Sequence, residues 1–281
     1  MNAAFYCVAT PIGNLADIST RAIKTLSEVD KIYAEDTRVT LRLLTHLGIQ
    51  KTLVSLHDHN ETARVVQVLA DLAQGLNLAL VSDAGTPLIS DPGYHLVKEV
   101  AKAGFKVVPI PGACAVVAAL SAAGLATDRF VFEGFLSAKS SARKASFEQL
   151  KTETRTLIFY ESSHRIEGFL EDLVTVLGEE RELVIAREIT KLYESFYRDT
   201  AQNLLARLRT DTDMQKGEFV VLVKGATELV DQSSVDAQTV LQILLDEDLS
   251  VNQAAKIAAR ITGQAKNKLY RQAMELSQSL G

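Results

Sequence analysis

The chain has little of the residues that mark several specialised classes of protein. Five prolines and 15 glycines in 281 residues are too few for a fibrous or low-complexity sequence. The two cysteines, Cys7 and Cys114, lie in apolar surroundings without Cys-x-x-Cys spacing, which argues against a disulfide framework and against a zinc cluster. We therefore expect two small core side chains in a protein of a reducing compartment, with no bound metal.

Sequence features of secretion and membrane insertion are lacking as well. The first residues carry no basic region, and the longest apolar stretch, residues 113–126, is interrupted by Ser121 and Gly124. This stretch is too short to cross a bilayer. The sequence therefore predicts a cytoplasmic protein without membrane contact.

An excess of positive charge is also lacking. The 30 Lys and Arg residues against 35 Asp and Glu give a net charge of −5, so any nucleic-acid contact must be local. One local basic cluster lies on helix-turn-helix-like segments of residues 251–271, which contain no acidic residue, and the other lies near residue 140. The clusters comprise Lys256, Arg260, Lys266, Lys268 and Arg271, and Lys139, Arg143 and Lys144. Each cluster suits either RNA phosphates or an ordinary solvated helix face.

What is present is a regular alternation of short Val, Ile and Phe runs with Leu- and Ala-rich amphipathic stretches. Apolar residues make up 47% of the chain and charged residues 23%, as in ordinary globular proteins. The alternation is typical of βα units on a mainly parallel sheet and predicts strands at residues 5–9, 31–34, 52–56, 76–81, 106–110, 156–160, 182–186 and 218–223. The predicted fold class is α/β, with two α/β domains (residues 1–134 and 135–230), a hinge near residues 132–139, and a helical appendage (residues 231–281).

Four of the predicted strands in the first half end in loops that contain glycine, proline or charged residues. These loops are residues 10–14, 35–38, 82–87 and 111–113. The carboxyl ends of parallel strands frame the ligand crevice of an open sheet. We therefore expect the four loops to converge on one pocket.

The segment 82–93 is the most informative of these loops. Gly85 and Gly93 permit a close backbone approach or a positive φ, and Asp83 and Asp91 offer carboxylates to hydroxyl or ammonium groups. Such a loop suits a small polar ligand with a cationic part, but it matches neither the dinucleotide nor the P-loop fingerprint. Two tight turns at the sheet surface would have the same composition.

Small residues follow the strand predicted at residues 106–110. Residues 111–115, Pro-Gly-Ala-Cys-Ala, open an Ala-rich helix whose N-terminus is suited to a ligand lying against it. Packing of this helix on a sheet explains the small residues equally well.

Polar residues in segments 35–38, 57–61, 160–165 and 187–191 each follow a predicted strand. This placement brings carboxylates, bases and arginines to the rim of the crevice. His57 and His59 invite a metal-site interpretation, but two histidines with alternating acids supply no complete ligand set. Asn60 and Glu61 equally match the start of the next helix.

The ordered motifs carry a specific resemblance. Residues 10–18 (Thr-Pro-Ile-Gly-Asn-Leu-Ala-Asp-Ile), 34–38 (Ala-Glu-Asp-Thr-Arg), 82–87, 159–165 and 216–218 closely resemble those of the bacterial 16S ribosomal RNA (cytidine-2′-O)-methyltransferase family of the tetrapyrrole methylase superfamily. The resemblance covers essentially the whole chain. It implies two α/β domains of the tetrapyrrole methylase type with S-adenosylmethionine between them, a homodimer, and methylation of a ribose 2′-hydroxyl in the decoding region of small-subunit rRNA.

By position, the resemblance assigns the cofactor to loops of both domains. The loop 82–87 would hold the methionine part, and two second-domain positions would close over the adenosine. The implied cofactor-binding residues are Pro11, Ser82, Asp83, Ala84, Gly85, Pro87, Ala113, Cys114, Tyr160 and Ala186. Residues 10–14 depart from the Gly-x-Gly-x-Gly usual in porphyrin-modifying relatives, which favours an RNA acceptor.

Methyl transfer to a ribose hydroxyl needs an aligned donor and a base that removes the hydroxyl proton. The candidate bases at the rim are Glu35, Asp36, His57, His59 and Glu161. Arg38, Arg165 and Arg187 suit phosphate clamps, or ion pairs with the neighbouring Glu35, Glu161 and Glu188. Two other functions stay open, which are C-methylation of a tetrapyrrole such as a precorrin and a non-catalytic role in ribosome assembly.

Overall fold

A computed structural model describes residues 3–57, 60–227, 237–247 and 249–279. The chain divides into two compact units, residues 1–225 and residues 226–281. The larger unit contains two five-stranded sheets. The predicted α/β fold class with C-terminal helices is confirmed.

The first sheet is entirely parallel, as the alternation of runs predicts. Its strands are β1 (Ala4–Val8), β2 (Lys31–Ala34), β3 (Thr52–Ser55), β4 (Leu78–Val81) and β5 (Lys106–Ile110). They lie in the order β3-β2-β4-β1-β5. The connecting helices are α1 (Thr20–Glu28), α2 (Thr37–His46), α3 (Glu61–Ala73) and α4 (Tyr94–Lys102).

Alternating side chains give this sheet two apolar faces, and helices cover both. On one face, Val8, Ile32 and Val81 pack with residues of α1 and α2. On the other, Phe5 and Leu80 pack with residues of α3 and α4. Because β1, β2 and β4 are buried on both faces, their sequences are nearly continuous apolar runs.

The second sheet is mostly antiparallel and differs in this respect from the first. Its strands are β6 (Phe130–Gly134), β7 (Thr156–Ser162), β8 (Glu182–Arg187), β9 (Ser195–Thr200) and β10 (Glu218–Val223). The order is β6-β7-β10-β8-β9, and within it the β6–β7 pair is parallel. Helix α5 (Ala115–Ala123) packs on one face, and α6 (Ser140–Leu150), α7 (Ile166–Leu177) and α8 (Ala201–Thr210) pack on the other.

Two strands of this sheet have no counterpart in the sequence predictions. The first, β6, occupies part of the segment that we expected to be a hinge, and its pairing register shifts between Phe132 and Gly134. The second, β9, is a polar edge strand (Ser-Phe-Tyr-Arg-Asp-Thr) with little apolar alternation. The predicted boundary at residue 134 falls at the end of β6, which pairs in the second sheet, so the three-domain division stays a prediction.

The smaller unit is helical where the structure describes it. Helices α9 (Ala237–Asp246), α10 (Val251–Thr262) and α11 (Lys266–Ser279) share their own apolar core. Ser250 caps α10 in a capping box with Gln253, and Gly263 ends the helix at φ 68°. The predicted C-terminal helices are present in these described residues, whereas the predicted start of the appendage at residue 231 lies outside them. Among the helices described, none has the length and apolar character needed to cross a membrane.

A buried ion pair joins α6 to α7 and corrects one prediction. The Arg143 guanidinium donates to Asp172 (Nε–Oδ2 2.8 Å) and to the Gly168 carbonyl (3.0 Å). Both side chains of the pair are only 6% exposed. The predicted RNA contact by Arg143 is therefore wrong, because its charge is used inside the fold and does not face solvent.

Removing one partner of this pair should be costly. We expect Asp172→Ala to lower the free energy of unfolding by about 3–5 kcal/mol, because the Arg143 charge stays buried without its counter-ion. Urea denaturation measures the change. Asp213→Ala is the matched control, because its ion pair with Lys216 is exposed and should matter little. If Asp172→Ala is as stable as this control, the pair has no structural role.

Candidate active site

A cleft of about 510 Å³ lies where the carboxyl ends of the first sheet meet the second sheet. Loops after β1, β2 and β4 contribute to it, and so does the start of α5 after β5. Three of the four predicted loops therefore line the cleft, and in place of the fourth, residues 111–113, the residues directly after it do. The lining residues are Ile12, Glu35, Asp83, Ala84, Gly85, Thr86, Ile89, Ser90, Asp91, Cys114, Ala115, Phe135, Tyr160, Glu161, Ser162, Ile189, Lys191, Glu218, Phe219 and Val220.

Hydrogen bonds between the loops fix the floor of the cleft. The Thr10 N–H donates to the Gly85 carbonyl (2.8 Å), and the Gly85 N–H donates to the Thr10 carbonyl (3.1 Å). The Thr86 hydroxyl donates to the Ala113 carbonyl (3.0 Å). The loops after β1, β4 and β5 therefore form one connected surface. At Gly85 φ is +85°, and a Cβ there would lie 3.2 Å from Ile12 Cγ2, so glycine is required for this approach.

Backbone strain concentrates in two segments beside the cleft. In the described residues, positive φ angles at residues other than glycine occur at Leu88 (73°), Ser90 (66°), Glu188 (50°) and Thr190 (68°). The first two belong to the loop after β4 and the others to the loop after β8. Such conformations cost free energy and persist mainly where function or surrounding structure requires them.

The cleft is strongly acidic. Five carboxylate residues line it, against the single cation Lys191; they are Glu35, Asp83, Asp91, Glu161 and Glu218. Lys191 Nζ already donates to Glu188 (2.9 Å) and Glu218 (2.8 Å). Burial raises the pKa of Asp91, with its hydrogen bond to Ser82 acting in the opposite direction. The field in the cleft therefore favours a cationic ligand.

Glu161 is the most unusual of these carboxylates. Its side chain is 0% exposed, and its Oε1 accepts the Ser162 N–H (2.8 Å). Arg165 Nε lies 3.1 Å from the same oxygen without the alignment of a hydrogen bond, and Oε2 has no partner in the described structure. Burial raises the pKa of Glu161, against the opposing effects of Ser162 and Arg165. A buried carboxyl with a free oxygen in a cleft is suited to proton transfer.

The remaining walls are apolar and aromatic. Tyr160 packs edge-on against Phe132 (centroids 5.0 Å apart) and Phe135 (5.4 Å), and burial raises its pKa. Ile12, Cys114, Ile189, Phe219 and Val220 complete these walls. The cleft thus combines an acidic part with an apolar part that suits a flat ring system.

The small residues at and after the start of helix α5 fit both predictions made for them, a ligand at the helix N-terminus and packing on a sheet. Cys114, which directly precedes the helix, and Ala115, its first residue, line the cleft. Farther along, Ala119 and Ala123 are buried against the second sheet. The small side chains serve packing along the helix and leave space for a ligand at its start.

The predicted cofactor residues fall into three groups. Asp83, Ala84, Gly85, Cys114 and Tyr160 line the cleft. Three others support the loops from behind, since Ser82 and Pro87 are buried and the Ala113 carbonyl accepts the Thr86 bond. The structure does not bring the last two to the cleft: Pro11 lines a neighbouring cavity and Ala186 lies in the core of the second sheet.

The candidate bases differ in their position relative to the cleft. Glu35 and Glu161 line the cleft. Asp36 does not, because its carboxylate caps α2 and holds Arg38 (Oδ2–Nη2 2.6 Å), which lowers its pKa to about 2. His57 is exposed after the edge strand β3, where its backbone N–H donates to Asn60 Oδ1, and His59 lies outside the described residues.

The candidate RNA-binding residues also differ in their surroundings. Arg38 is exposed but paired with Asp36. Arg165 is half-buried and donates to the Leu136 carbonyl. Arg187 is buried, donating to the carbonyls of Lys216 and Tyr193, so its predicted role as a phosphate clamp is wrong. Lys139 is exposed, Lys144 approaches Asp172 (3.4 Å), and all five basic residues of the C-terminal helices are exposed.

Several residues that line the cleft are not among the predicted site residues. Ile189 and Lys191 follow β8, and Glu218, Phe219 and Val220 begin β10. The polar segment after β8 was noticed, but nothing local to β10 predicts that its first residues face the opposite sheet. Only the packing of the two sheets brings these residues to the cleft.

Comparisons with known proteins identify the class of this fold. The family model for Tetrapyrrole (Corrin/Porphyrin) Methylases matches residues 4–205, and the model for the RsmI C-terminal HTH domain matches residues 231–277. A solved diphthine synthase matches with a TM-score of 0.62 at 18% identity, over 80% of this chain and 91% of that chain. A cobalt precorrin-4 methyltransferase matches with a TM-score of 0.57 at 16% identity, over 79% and 94%. The fold and cleft define a protein of the tetrapyrrole methylase class.

Curated relatives narrow the class to one family. Ribosomal RNA small subunit methyltransferase I of Haemophilus influenzae is 52% identical over 266 residues, covering 94% of each chain. The relatives of that name in Escherichia coli O157:H7 and Pseudomonas aeruginosa are 52% and 48% identical, over 96% of this chain and 94% and 96% of theirs. The chain therefore belongs to the ribosomal RNA small subunit methyltransferase I family, and the resemblance found in its motifs is confirmed.

Proposed function

We propose that the protein transfers a methyl group from S-adenosylmethionine to the ribose 2′-oxygen of a cytidine in the decoding region of small-subunit ribosomal RNA. The observation that carries the proposal is a cleft with an acidic half and an apolar half, in a chain about half identical to enzymes named for methylating this RNA. The cytidine, the decoding region and the 2′-oxygen come from the motif resemblance.

The composition of the cleft fits this donor. When bound, S-adenosylmethionine supplies an electrophilic methyl group on a positively charged sulfur. Asp83 and Asp91 offer negative charge near the loop after β4, where an ammonium or a sulfonium would be stabilised. Tyr160, Ile189 and Val220 provide an apolar wall for an adenine ring. A volume of about 510 Å³ lies within the range of roughly 300–1,000 Å³ that small-molecule sites occupy.

Glu161 is the base that we propose for the ribose hydroxyl. In the transfer, the ribose oxygen bonds to the methyl carbon, the carbon–sulfur bond breaks with its electron pair remaining on sulfur, and the hydroxyl proton passes to a carboxylate. Oε2 of Glu161 is free to accept it. The raised pKa of Glu161 makes its carboxylate a stronger base than an ordinary glutamate.

The exposed basic residues of α10 and α11 are proposed to contact RNA phosphates. Lys256 and Arg260 are one helical turn apart on α10, and Lys266, Lys268 and Arg271 lie on α11. In the part of the chain that the structure describes, no hydrogen bond or ion pair uses these five charges. A homodimer, a cytoplasmic location and small subunits as the physical substrate complete the proposal, on the basis of the family resemblance.

The central experiment follows the methyl group. The protein is incubated with methyl-labelled S-adenosylmethionine and small ribosomal subunits that lack the modification, and the labelled RNA is hydrolysed with alkali. A 2′-O-methyl group blocks attack on the adjacent phosphodiester, so we expect the label in an alkali-resistant dinucleotide. Label in a mononucleotide would contradict 2′-O specificity, and label in an added precorrin instead of RNA would establish the tetrapyrrole alternative. Binding of the donor without turnover on any acceptor would support the non-catalytic alternative.

The role of Glu161 has a kinetic signature. We expect Glu161→Gln to reduce kcat by about 10²–10⁴-fold while binding of S-adenosylhomocysteine, measured by calorimetry, stays unchanged. In the wild type, kcat should rise with pH as Glu161 deprotonates, above the range of an ordinary carboxylate because burial raises its pKa. Glu153→Gln is the control, because Glu153 is held by Arg155 away from the cleft residues. If kcat of Glu161→Gln still rises with pH as in the wild type, another group is the base.

The C-terminal charges can be tested in the intact protein. Replacing Lys256 and Arg260 by alanine should raise the KM for small subunits and leave binding of S-adenosylhomocysteine unchanged. Each lost phosphate contact should also reduce the slope of log affinity against log salt by about 0.7–0.9. Lys106→Ala, at the exposed start of β5, is the matched charge control. An unchanged KM with an unchanged salt slope would exclude these residues from RNA binding.

A further inference from the structure

A second cavity of about 240 Å³ lies next to the cleft. We propose that it receives the acceptor nucleoside, with the base against α2 and a neighbouring RNA phosphate on Arg42. This inference rests on the proposed function and names where its acceptor binds. The cavity is lined by Pro11, Gly13, Leu15, Val39, Arg42, Leu43 and Asp83.

The walls of this cavity are aliphatic and remain accessible to solvent. Val39 and Leu43 lie one turn apart on α2 and are only half-buried, and Leu15 of the facing loop is 45% exposed. Water-exposed apolar side chains on two facing elements form a slot that stabilises a flat group inserted between them. A nucleobase turned out of an RNA strand has two such apolar faces.

Arg42 supplies the charge at the rim of the slot. Its side chain is exposed and lines the same cavity as Asp83. Throughout the ranges that the structure describes, Arg42 makes no hydrogen bond and no ion pair. Arg38, one turn earlier, contrasts with it because Asp36 holds the Arg38 guanidinium. Of the two, Arg42 therefore has the free planar donors that suit a phosphate.

Asp83 connects the two cavities. It lines both the donor cleft and the smaller cavity, and its Oδ1 accepts the Asp36 N–H (2.9 Å), which fixes it against the start of α2. A nucleoside in the slot would thus have its sugar toward the wall that the donor also contacts. Methyl transfer requires this close placement of the two reacting molecules.

The size of the cavity argues for one ring system. Drug-sized ligands occupy roughly 300–1,000 Å³, and about 240 Å³ falls below this range. Four linked pyrroles do not fit such a slot, whereas a single pyrimidine does. Charge agrees with size, because the rim cation suits an RNA phosphate.

Two variants test the slot in the full-length protein. Arg42→Ala removes the phosphate contact, and Val39→Phe fills the slot at a half-buried position. We expect Arg42→Ala to raise the KM for small subunits about tenfold and to reduce the salt slope by about 0.7, the value for one contact to a single strand. We expect Val39→Phe to lower kcat/KM at least tenfold. Lys106→Ala should match the wild type in both measurements.

Binding of S-adenosylhomocysteine, measured by calorimetry, separates the possible failures. If both variants bind it normally and methylate subunits like the wild type, the slot is not the acceptor site. If Val39→Phe no longer binds S-adenosylhomocysteine, its loss of activity does not test the slot. The activity of Arg42→Ala then decides alone, because the exposed Arg42 side chain does not support the fold. If the wild type methylates no RNA, the proposed function itself fails, whatever the variants do.

Discussion

The functional surface depends on the pair of backbone hydrogen bonds between Thr10 and Gly85. These bonds join the loop after β1 to the loop after β4 outside any regular strand. Gly85 makes them at a φ of +85°, a conformation that favours glycine. The Thr86 bond to Ala113 extends the connection to the start of α5. A surface built from three separate strand ends is thereby held as one rigid floor. Rigid placement matters for methyl transfer, where alignment of the two reactants supplies much of the rate acceleration.

Acidic and unpaired basic side chains of the described residues lie on different surfaces of the protein. The cleft concentrates carboxylates, although RNA is itself an anion that such a surface repels. Cations without a partner among the described residues occur elsewhere, at Arg42 on the rim of the neighbouring slot and on the C-terminal helices. Under the proposed function, a cationic donor and an anionic acceptor would be attracted to different surfaces. The proposed contact with RNA is therefore compatible with a chain whose net charge is −5.

Local patterns predicted some elements well and missed others for identifiable reasons. The strand predicted at residues 31–34 coincides with β2, since the residues that follow Lys31 are buried and form an apolar run. The edge strand β9 was missed because Arg198 and Asp199 face solvent and break the alternation. Among the site residues, Asp83, Gly85 and Tyr160 were identified by their motifs and lie in the cleft. Arg143 and Arg187 were misassigned because the local sequence of an arginine at a helix start or a strand end does not show its partner. That partner can be a phosphate, a buried carbonyl or a buried carboxylate.

The sequence by itself determined the α/β class, the parallel first sheet, the loops that meet at its carboxyl edge and the family, because these depend on periodicity and on ordered motifs. Tertiary structure alone decided which charged groups are available. It buried Glu161 and left one of its oxygens without a partner in the described structure, paired Arg143 with Asp172, and brought the start of β10 into the cleft. The physical reason is that desolvation and pairing depend on neighbours distant in the chain, and no local pattern records them.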